Sequence, residues 1–508
     1  MAKKREDREN RKRSTGDEIC DLDNGFLSPC LSLRDVSVEN IKNTLVNSRY
    51  TQLLLCITAI GIFLRFYHLG FNSLWLDEAS TYTFATMSLS GIWQATTGGE
   101  FNPPLFYWME HVMLALGNNE TILRFIPAVL GSLTVPLVYI AGKEFVDRNV
   151  GIIAAAACAF SPFLIYYSQE ARAYSVMLFF IVFSMVFFLR ALKTDDTLDW
   201  VLFGILSALA FWSHFYALVI IGALVLYALS LKFPVMRKDI GSIKPMIIAG
   251  AVFAVICLPL ILVTIQLFAK RTASNPTFGI QGLGIISETF RQISGFSDLA
   301  MILLLILFII GICQAFLMDK NKGLFLVSLT VLTFAISYFL SYKIPMEPRY
   351  LIFLAPIFFF GIALSYKPVW NIYRNPAVVY GLMLLVVILG APVLVNMYSG
   401  YTKDDWRGFS GQVQQATHPG DFVVVLPGYV TQPLNYYYSN TSDQTFEYGA
   451  YTAGDLDAIA AQKTSNKIYY IITGDIMSAN PNGDAIAWLN NNTKPYGPES
   501  LIALRVSV

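Results

Sequence analysis

The amino-acid sequence predicts a mainly α, polytopic membrane protein with about eleven transmembrane helices and a small C-terminal extracytoplasmic α/β domain. Three observations predict it. Hydrophobic residues make up 55% of the 508 and charged residues only 14%, where a soluble globular chain carries about a quarter charged. Apolar runs of about 17–23 residues recur along the chain and match a hydrocarbon core about 30 Å thick. Basic residues gather in alternate loops between those runs, as retention of positive charge in the cytoplasm requires. The net charge of +1 gives no reason to expect a nucleic-acid partner.

Residues 1–50 are polar and basic, with Lys3-Lys4-Arg5 and Arg11-Lys12-Arg13. They read as a cytoplasmic disordered tail, and no cleavable signal peptide is expected because the first apolar segment starts near Leu53. The transmembrane domain is placed at 51–397, with a large outer loop at 68–120. Its apolar runs lie near 51–67, 121–142, 150–167, 173–192, 199–213, 215–231, 245–267, 299–318, 323–341, 350–365 and 376–397. A further run, 104–116, is short, carries Glu110 and His111, and follows Pro103-Pro104; it reads as a re-entrant or interfacial helix. With the amino terminus inside, the cytoplasmic loops hold Lys143/Arg148, Arg190/Lys193, Lys232/Arg237/Lys238/Lys244, Lys320/Lys322 and Lys367/Arg374. Counting 104–116 as a span would place all of these outside, so the eleven-span reading prevails.

An odd span count puts the segment 398–508 outside, where it reads as an α/β domain. Strands are expected at Phe422–Leu426, Ile468–Ile472 and 501–508, and helices near 405–416, 455–463 and 483–491. Three N-x-S/T sequons, at Asn119, Asn440 and Asn491, fall on the same side. Cys20 and Cys30 lie in the tail and Cys56, Cys158, Cys257 and Cys313 in apolar runs. No extracellular disulfide framework is therefore expected, and no C-x-x-C pair suggests a metal.

Ionisable residues at membrane depth or at span ends are costly, which makes each a functional candidate. Asp77-Glu78 follows the first span. It reads either as acids at the positive end of a helix dipole or, beside Trp75 and Leu76, as a base near a lipid head group. Glu100 and Asn102 precede Pro103-Pro104, which stiffens the chain. Glu170 and Arg172, with Tyr167 and Tyr174, lie between the third and fourth spans and suggest a polar pocket instead of solvated turn charges. His214 sits among aromatics, where a structural role competes. Arg349 precedes the tenth span, either as a snorkelling cation or as a planar donor suited to phosphate. The topology brings Asp77, Glu78, Glu100, Glu170, Arg172, His214 and Arg349 to one face.

Four motifs carry a resemblance: Trp75-Leu76-Asp77-Glu78, Asn102-Pro103-Pro104-Leu105-Phe106-Tyr107, Tyr167-Ser168-Gln169-Glu170-Ala171-Arg172-Ala173-Tyr174 and Pro348-Arg349-Tyr350-Leu351. With Asp404-Asp405-Trp406-Arg407, they make nearly all of 50–508 resemble the GT-C fold glycosyltransferases that use lipid-phosphate sugars, the family of protein mannosyltransferases and aminoarabinose transferases. The resemblance implies transfer of a sugar from a polyprenyl or dolichyl phosphate to a hydroxyl acceptor (protein, lipid or glycan) outside the membrane. It implies Asp77 as general base with Glu78 beside it, Glu170 as a second acid, and Arg349, with Arg172, as binder of the carrier phosphate. No cofactor is certain. A divalent metal would fall to Asp77 and Glu100, and Asn102 stands where related sequences often have His. The chemistry agrees: with phosphate as leaving group, one carboxylate and one cation suffice, and a single displacement inverts the anomeric centre. A transporter or flippase of lipid-linked sugars would call for inverted repeats and mid-depth broken helices, and a non-catalytic scaffold leaves the acidic loop unexplained.

Overall fold

A computed structural model describes residues 48–100, 102–237, 239–276, 278–438, 446–462, 467–496 and 502–507. The expected tail up to residue 47, and the sequon asparagine at 440, lie outside the described residues. The chain divides into two compact units. One comprises residues up to Tyr67, Ala128–Ser168 and Ala173–Val393; the other comprises His68–Pro127, Gln169–Arg172 and Leu394–Val508.

In the first unit the apolar runs are helices, among them Arg49–Phe66, Phe125–Phe145, Tyr174–Thr194, Ala217–Met236, Lys244–Arg271, Asp298–Met318, Lys320–Leu340 and Ala377–Ser399. Among the described residues eight helices are long and apolar enough to cross a membrane, nine if the bent pair Arg148–Phe160 and Pro162–Ser168 is one span. Thr197–Ser213 is a shorter apolar helix. The run predicted at 350–365 becomes a 3-10 turn, Pro348–Leu351, followed by Leu354–Leu364. Every residue of that last helix is buried, which is why it is apolar all round. It packs on Arg148–Phe160 and on Asp298–Met318, where a Cβ placed on Gly311 would stand 1.7 Å from the Gly361 carbonyl oxygen. Other helices turn Leu55, Phe63, Val255 and Leu317 outward, as a lipid-facing surface does.

The bend of 58° between Arg148–Phe160 and Pro162–Ser168 has a chemical cause. Pro162 has no N–H, so the Cys158 carbonyl loses its helical donor. Arg65, buried in Arg49–Phe66, replaces it: Nη2 donates to Cys158 O at 3.0 Å, Nη1 to Ala159 O at 3.2 Å and to Gly61 O at 3.1 Å, and Nε to Ser168 Oγ at 3.2 Å. A buried cation at this depth is tolerated because carbonyls surround it.

The second unit joins the outer loop to the C-terminal segment. The loop folds as Leu76–Ala85, Leu89–Gly98, Leu105–Met113 and Glu120–Leu123. Leu105–Met113 packs on the first two, with His111 Nδ1 2.8 Å from Ala85 O and Trp108 Nε1 donating to Leu89 O at 3.1 Å. The C-terminal segment holds a five-stranded sheet of β1 (Phe422–Leu426), β2 (Phe446–Gly449), β3 (Ile468–Ile472), β4 (Thr493–Pro495) and β5 (Ala503–Ser507), in the order β2-β1-β3-β5-β4. β1 pairs in parallel with β2 and β3, and β5 runs antiparallel to β3 and β4. The central β1 is buried along its whole length, as its unbroken Phe-Val-Val-Val-Leu run demands. Val423, Val425, Tyr469 and Ile471 face Trp406, Phe409 and Leu434, whereas Val424, Leu426, Ile468 and Tyr470 face Leu456, Ile459 and Leu489. Helices therefore cover both faces.

Candidate active site

The second unit collects Asp77, Glu78, Glu100, Asn102, Glu170 and Arg172; the first holds Tyr167, Tyr174, His214 and Arg349. The motif from Tyr167 to Tyr174 is shared between the two.

Asp77 and Glu78 open the helix Leu76–Ala85, yet their surroundings differ sharply. The Glu78 carboxylate is fully buried. Arg124 grips it in a two-pronged pair, Nε to Oε1 and Nη2 to Oε2, both at 2.7 Å. Lys403 Nζ donates to Oε2 at 3.0 Å and the Ala171 amide to Oε1 at 2.8 Å. Burial alone would raise its pKa, but the charges of Arg124 and Lys403 and these hydrogen bonds outweigh that and hold it at about 2, as a carboxylate between cations should be. Arg124 in turn donates to the Leu69, Asn72 and Ser73 carbonyls at 2.8–2.9 Å, so one guanidinium ties the entry of the loop to its exit. Glu78 is thus held by two cations and an amide within its own loop region.

Asp77, by contrast, keeps 26% of its side chain exposed, with Arg172 Nε 4.0 Å from Oδ2 and Arg172 Nη1 donating to the Asp77 carbonyl at 3.1 Å. The turn at 169–172 holds Arg172 there, because Ala171 is fixed by Glu78 and the Arg172 amide donates to Glu170 O at 2.7 Å. Glu170 is buried, its Oε2 3.7 Å from Lys403 Nζ. Burial pushes the Lys403 ammonium below its usual range, against the raising charges of Glu78 and Glu170. Sequence reading missed Arg124 and Lys403. The available signal was a lone arginine heading an apolar run, which must find an anion, and a lysine beside the already noticed Asp404-Asp405-Trp406-Arg407.

That last motif proves to be a clasp. Asp405 accepts from Ser73 Oγ at 2.9 Å while capping Trp406–Ala416 through the Gly408 amide at 3.1 Å. Arg407 donates to Glu120 Oε1 and Gly70 O, each at 3.1 Å, and Tyr437 OH receives the Leu74 amide at 2.7 Å.

Glu100 and Asn102 form a triangle with Tyr107. Tyr107 OH donates to Glu100 Oε1 at 2.8 Å, and Asn102 Nδ2 lies 3.3 Å from both. Burial, then the Glu100 charge, drive the Tyr107 pKa well up, so the phenol stays a donor. Among the described residues no three His, Cys, Asp or Glu side chains are grouped to hold a metal ion.

In the helical unit, Arg349 stands on the turn Pro348–Leu351 with its guanidinium over Tyr174 at 5.9 Å and over Tyr350 at 5.6 Å. Tyr350 stacks on Tyr216 at 4.7 Å, and His214 lies 5.4 Å from Tyr350 and 5.5 Å from Tyr174. Tyr167 meets Tyr174 edge-on at 5.3 Å. These rings fix the guanidinium by cation–π contact; His214 is buried among them, its Nδ1 accepting the Tyr216 amide at 3.3 Å.

Apolar helices of membrane-spanning length, a folded first outer loop and a C-terminal α/β segment together make a GT-C-like fold. The structure resembles apo ArnT from Cupriavidus metallidurans with a TM-score of 0.57 at 14% identity, covering 91% of this chain and 99% of that one. It resembles ArnT bound to undecaprenyl phosphate at 0.56 and 13%, covering 90% and 98%. AglB from Archaeoglobus fulgidus, in complex with an inhibitory peptide and a dolichol-phosphate, gives 0.52 at 13%, covering 91% and 74%. Residues 102–263 match the family model for dolichyl-phosphate-mannose-protein mannosyltransferase. An uncharacterized protein of Aquifex aeolicus (strain VF5) is 27% identical over 132 residues, 24% of this chain and 26% of that protein; the match thus spans about a quarter of the relative's length.

Proposed function

We propose that this chain is an integral membrane glycosyltransferase that moves a sugar from a polyprenyl or dolichyl phosphate carrier to a hydroxyl acceptor on the extracytoplasmic face, with inversion. The observation that carries the reading is the division of labour in the acidic pair. Glu78 is locked by Arg124 and Lys403, whereas Asp77 stays part-exposed beside Arg172, and such a carboxylate can receive a proton. Asp77 takes the acceptor O–H proton as the acceptor oxygen bonds to the anomeric carbon. The bond from that carbon to the carrier oxygen breaks, and its electron pair leaves on the polyprenyl phosphate. Phosphate leaves as an anion without a general acid, and Arg349, braced by Tyr174 and Tyr350, neutralises it. Arg172 holds Asp77 in place, and the Glu170 carbonyl accepts from the Arg172 amide. The basic loops support an amino terminus in the cytoplasm and a C-terminal domain outside.

The test is sugar transfer by purified protein in lipid nanodiscs from an undecaprenyl-phosphate-linked sugar. Asp77→Asn should abolish transfer while the thermal melt stays that of the wild type. Full activity of that variant would remove the proposed base, and labelling of a cysteine placed in the 86–88 loop only from the cytosolic side would overturn the sidedness.

A further inference from the structure

The parallel core of the C-terminal sheet is doubly wound. The chain passes from β1 to β2 on one side and then to β3 on the other. In open α/β sheets the crevice outside the carboxyl ends of the strands at such a reversal is where ligands bind, because the connections diverge there. Here β1 runs into Pro427-Gly428-Tyr429, β3 into Thr473-Gly474-Asp475 and β2 into Ala450-Tyr451. The first and last of these loops close up: a Cβ on Gly428 would lie 2.9 Å from the Gly449 Cα, so neither position admits a side chain. This approach sets Tyr429 and Tyr451 side by side, ring centroids 6.4 Å apart and tilted by 41°. Both remain exposed, at 40% and 41%, although a tyrosine with no ligand to meet has little reason to be held on a rigid rim.

The helix Leu76–Ala85 packs against Thr431–Tyr437, the helix that leaves this same end of β1. Leu76 joins the cluster that contains Val430 and Leu434, Ser80 Oγ donates to Gln432 Oε1, and Tyr82 meets Tyr436 edge-on at 4.8 Å. Asp77 is thereby brought to the β3 loop. Partial desolvation raises the pKa of Asp475, and the nearby Asp77 charge raises it further. The proposed base and the binding edge of the sheet therefore occupy one place within this unit.

We propose that the edge formed by the carboxyl ends of β2, β1 and β3, which carries Tyr451, Tyr429 and Asp475, is the acceptor subsite, and that it takes a neutral sugar ring of a glycan. The inference rests on the transferase reading above. A pyranose offers a flat C–H face that packs on an aromatic ring, and a rim of hydroxyl donors that a carboxylate accepts. Two tyrosine faces and the Asp475 carboxylate supply both. Asp404 and Asp77 both add negative charge at Asp475, which disfavours an anionic acceptor.

The experiment is saturation-transfer NMR with the full-length protein in nanodiscs, using methyl glycosides of neutral hexoses and a threonine-containing peptide as probes. Wild type should saturate the glycoside ring protons, and Tyr429→Ala and Asp475→Asn should each weaken glycoside binding about tenfold, with Tyr429→Phe close to wild type. In the transfer assay the same variants should raise the acceptor KM about tenfold and leave kcat and donor KM within about twofold. Glycoside saturation that is absent, or unmoved by Tyr429→Ala and Asp475→Asn, overturns the subsite, and so does stronger saturation of the peptide. A wild type that binds glycosides through these residues yet transfers no sugar supports the subsite and removes the transferase reading instead.

Discussion

Replacing Glu78 by Gln gives a quantitative test of the buried network. The carboxylate accepts two bonds from Arg124 and one each from Lys403 and Ala171, and an amide cannot accept from all of them. Arg124 and Lys403 would then lie buried with one anion fewer. The folded state holds the Glu78 pKa at about 2 against the ordinary 4.5, and such a gap corresponds to about 3 kcal/mol. Breaking a buried ion pair from one side costs about 3–5 kcal/mol, so the two routes agree. For a unit of this size each kcal/mol moves the midpoint by about 2–4 °C, giving a fall of about 6–12 °C at pH 7. The assay is thermal melting in nanodiscs followed by tryptophan fluorescence. Because the folded pKa is depressed, the stabilisation is complete above the unfolded value and drains as pH falls from 4.5 towards 2. The gap between wild type and Glu78→Gln should close over that window. A melt within about 1 °C of wild type, or a gap that is constant down to pH 3, would refute the argument.

Further outcomes follow from other parts of the molecule. Asp77→Asn should lower transfer by about 10²–10⁴-fold, the usual worth of a general base, and acceptor turnover is the readout. Arg349→Met should raise the donor KM more than the acceptor KM; an unchanged donor KM would exclude carrier-phosphate binding at this residue. Glu110 is buried on Leu105–Met113, its carboxyl oxygens have no hydrogen-bond partner among the described residues, and burial pushes its pKa well up. Its raised folded pKa favours the folded state at low pH and penalises it as pH rises, so Glu110→Gln should stabilise the fold at pH 8 by about 1–3 kcal/mol, seen as a higher melting temperature, and flatten the alkaline slope. Gly311→Ala forces a methyl against the Gly361 carbonyl and should lower the yield of folded protein in detergent by size-exclusion chromatography.

Much of this was legible in the sequence because hydrophobic period and length are read directly from it. The apolar runs are largely helical, although 350–365 opens as a 3-10 turn and 150–167 breaks at Pro162, and the strands predicted at Phe422–Leu426 and Ile468–Ile472 have those bounds. The short edge strands Phe446–Gly449 and Thr493–Pro495 went unpredicted, since three or four residues carry no alternation to detect. Asp77 and Glu78 stand out together in the sequence, but their surroundings could not be told apart there. Asp77 and Glu78 are adjacent and chemically alike. What distinguishes them is Arg124, 46 residues on, and Lys403, 325 residues on, and no local pattern announces partners at such separations. The clasp through Asp405 and Arg407, which unites the outer loop with the C-terminal segment, is hidden for the same reason.

The position of Lys403 has a bearing on biogenesis. Lys403 is made 325 residues after Glu78, so until then Arg124 is the cation on Glu78 and the outer loop lacks the ammonium that bridges Glu78 and Glu170. The network closes only once the last hydrophobic segment has been inserted and residue 403 has emerged behind it, so products truncated before that point would enter the membrane without the finished loop.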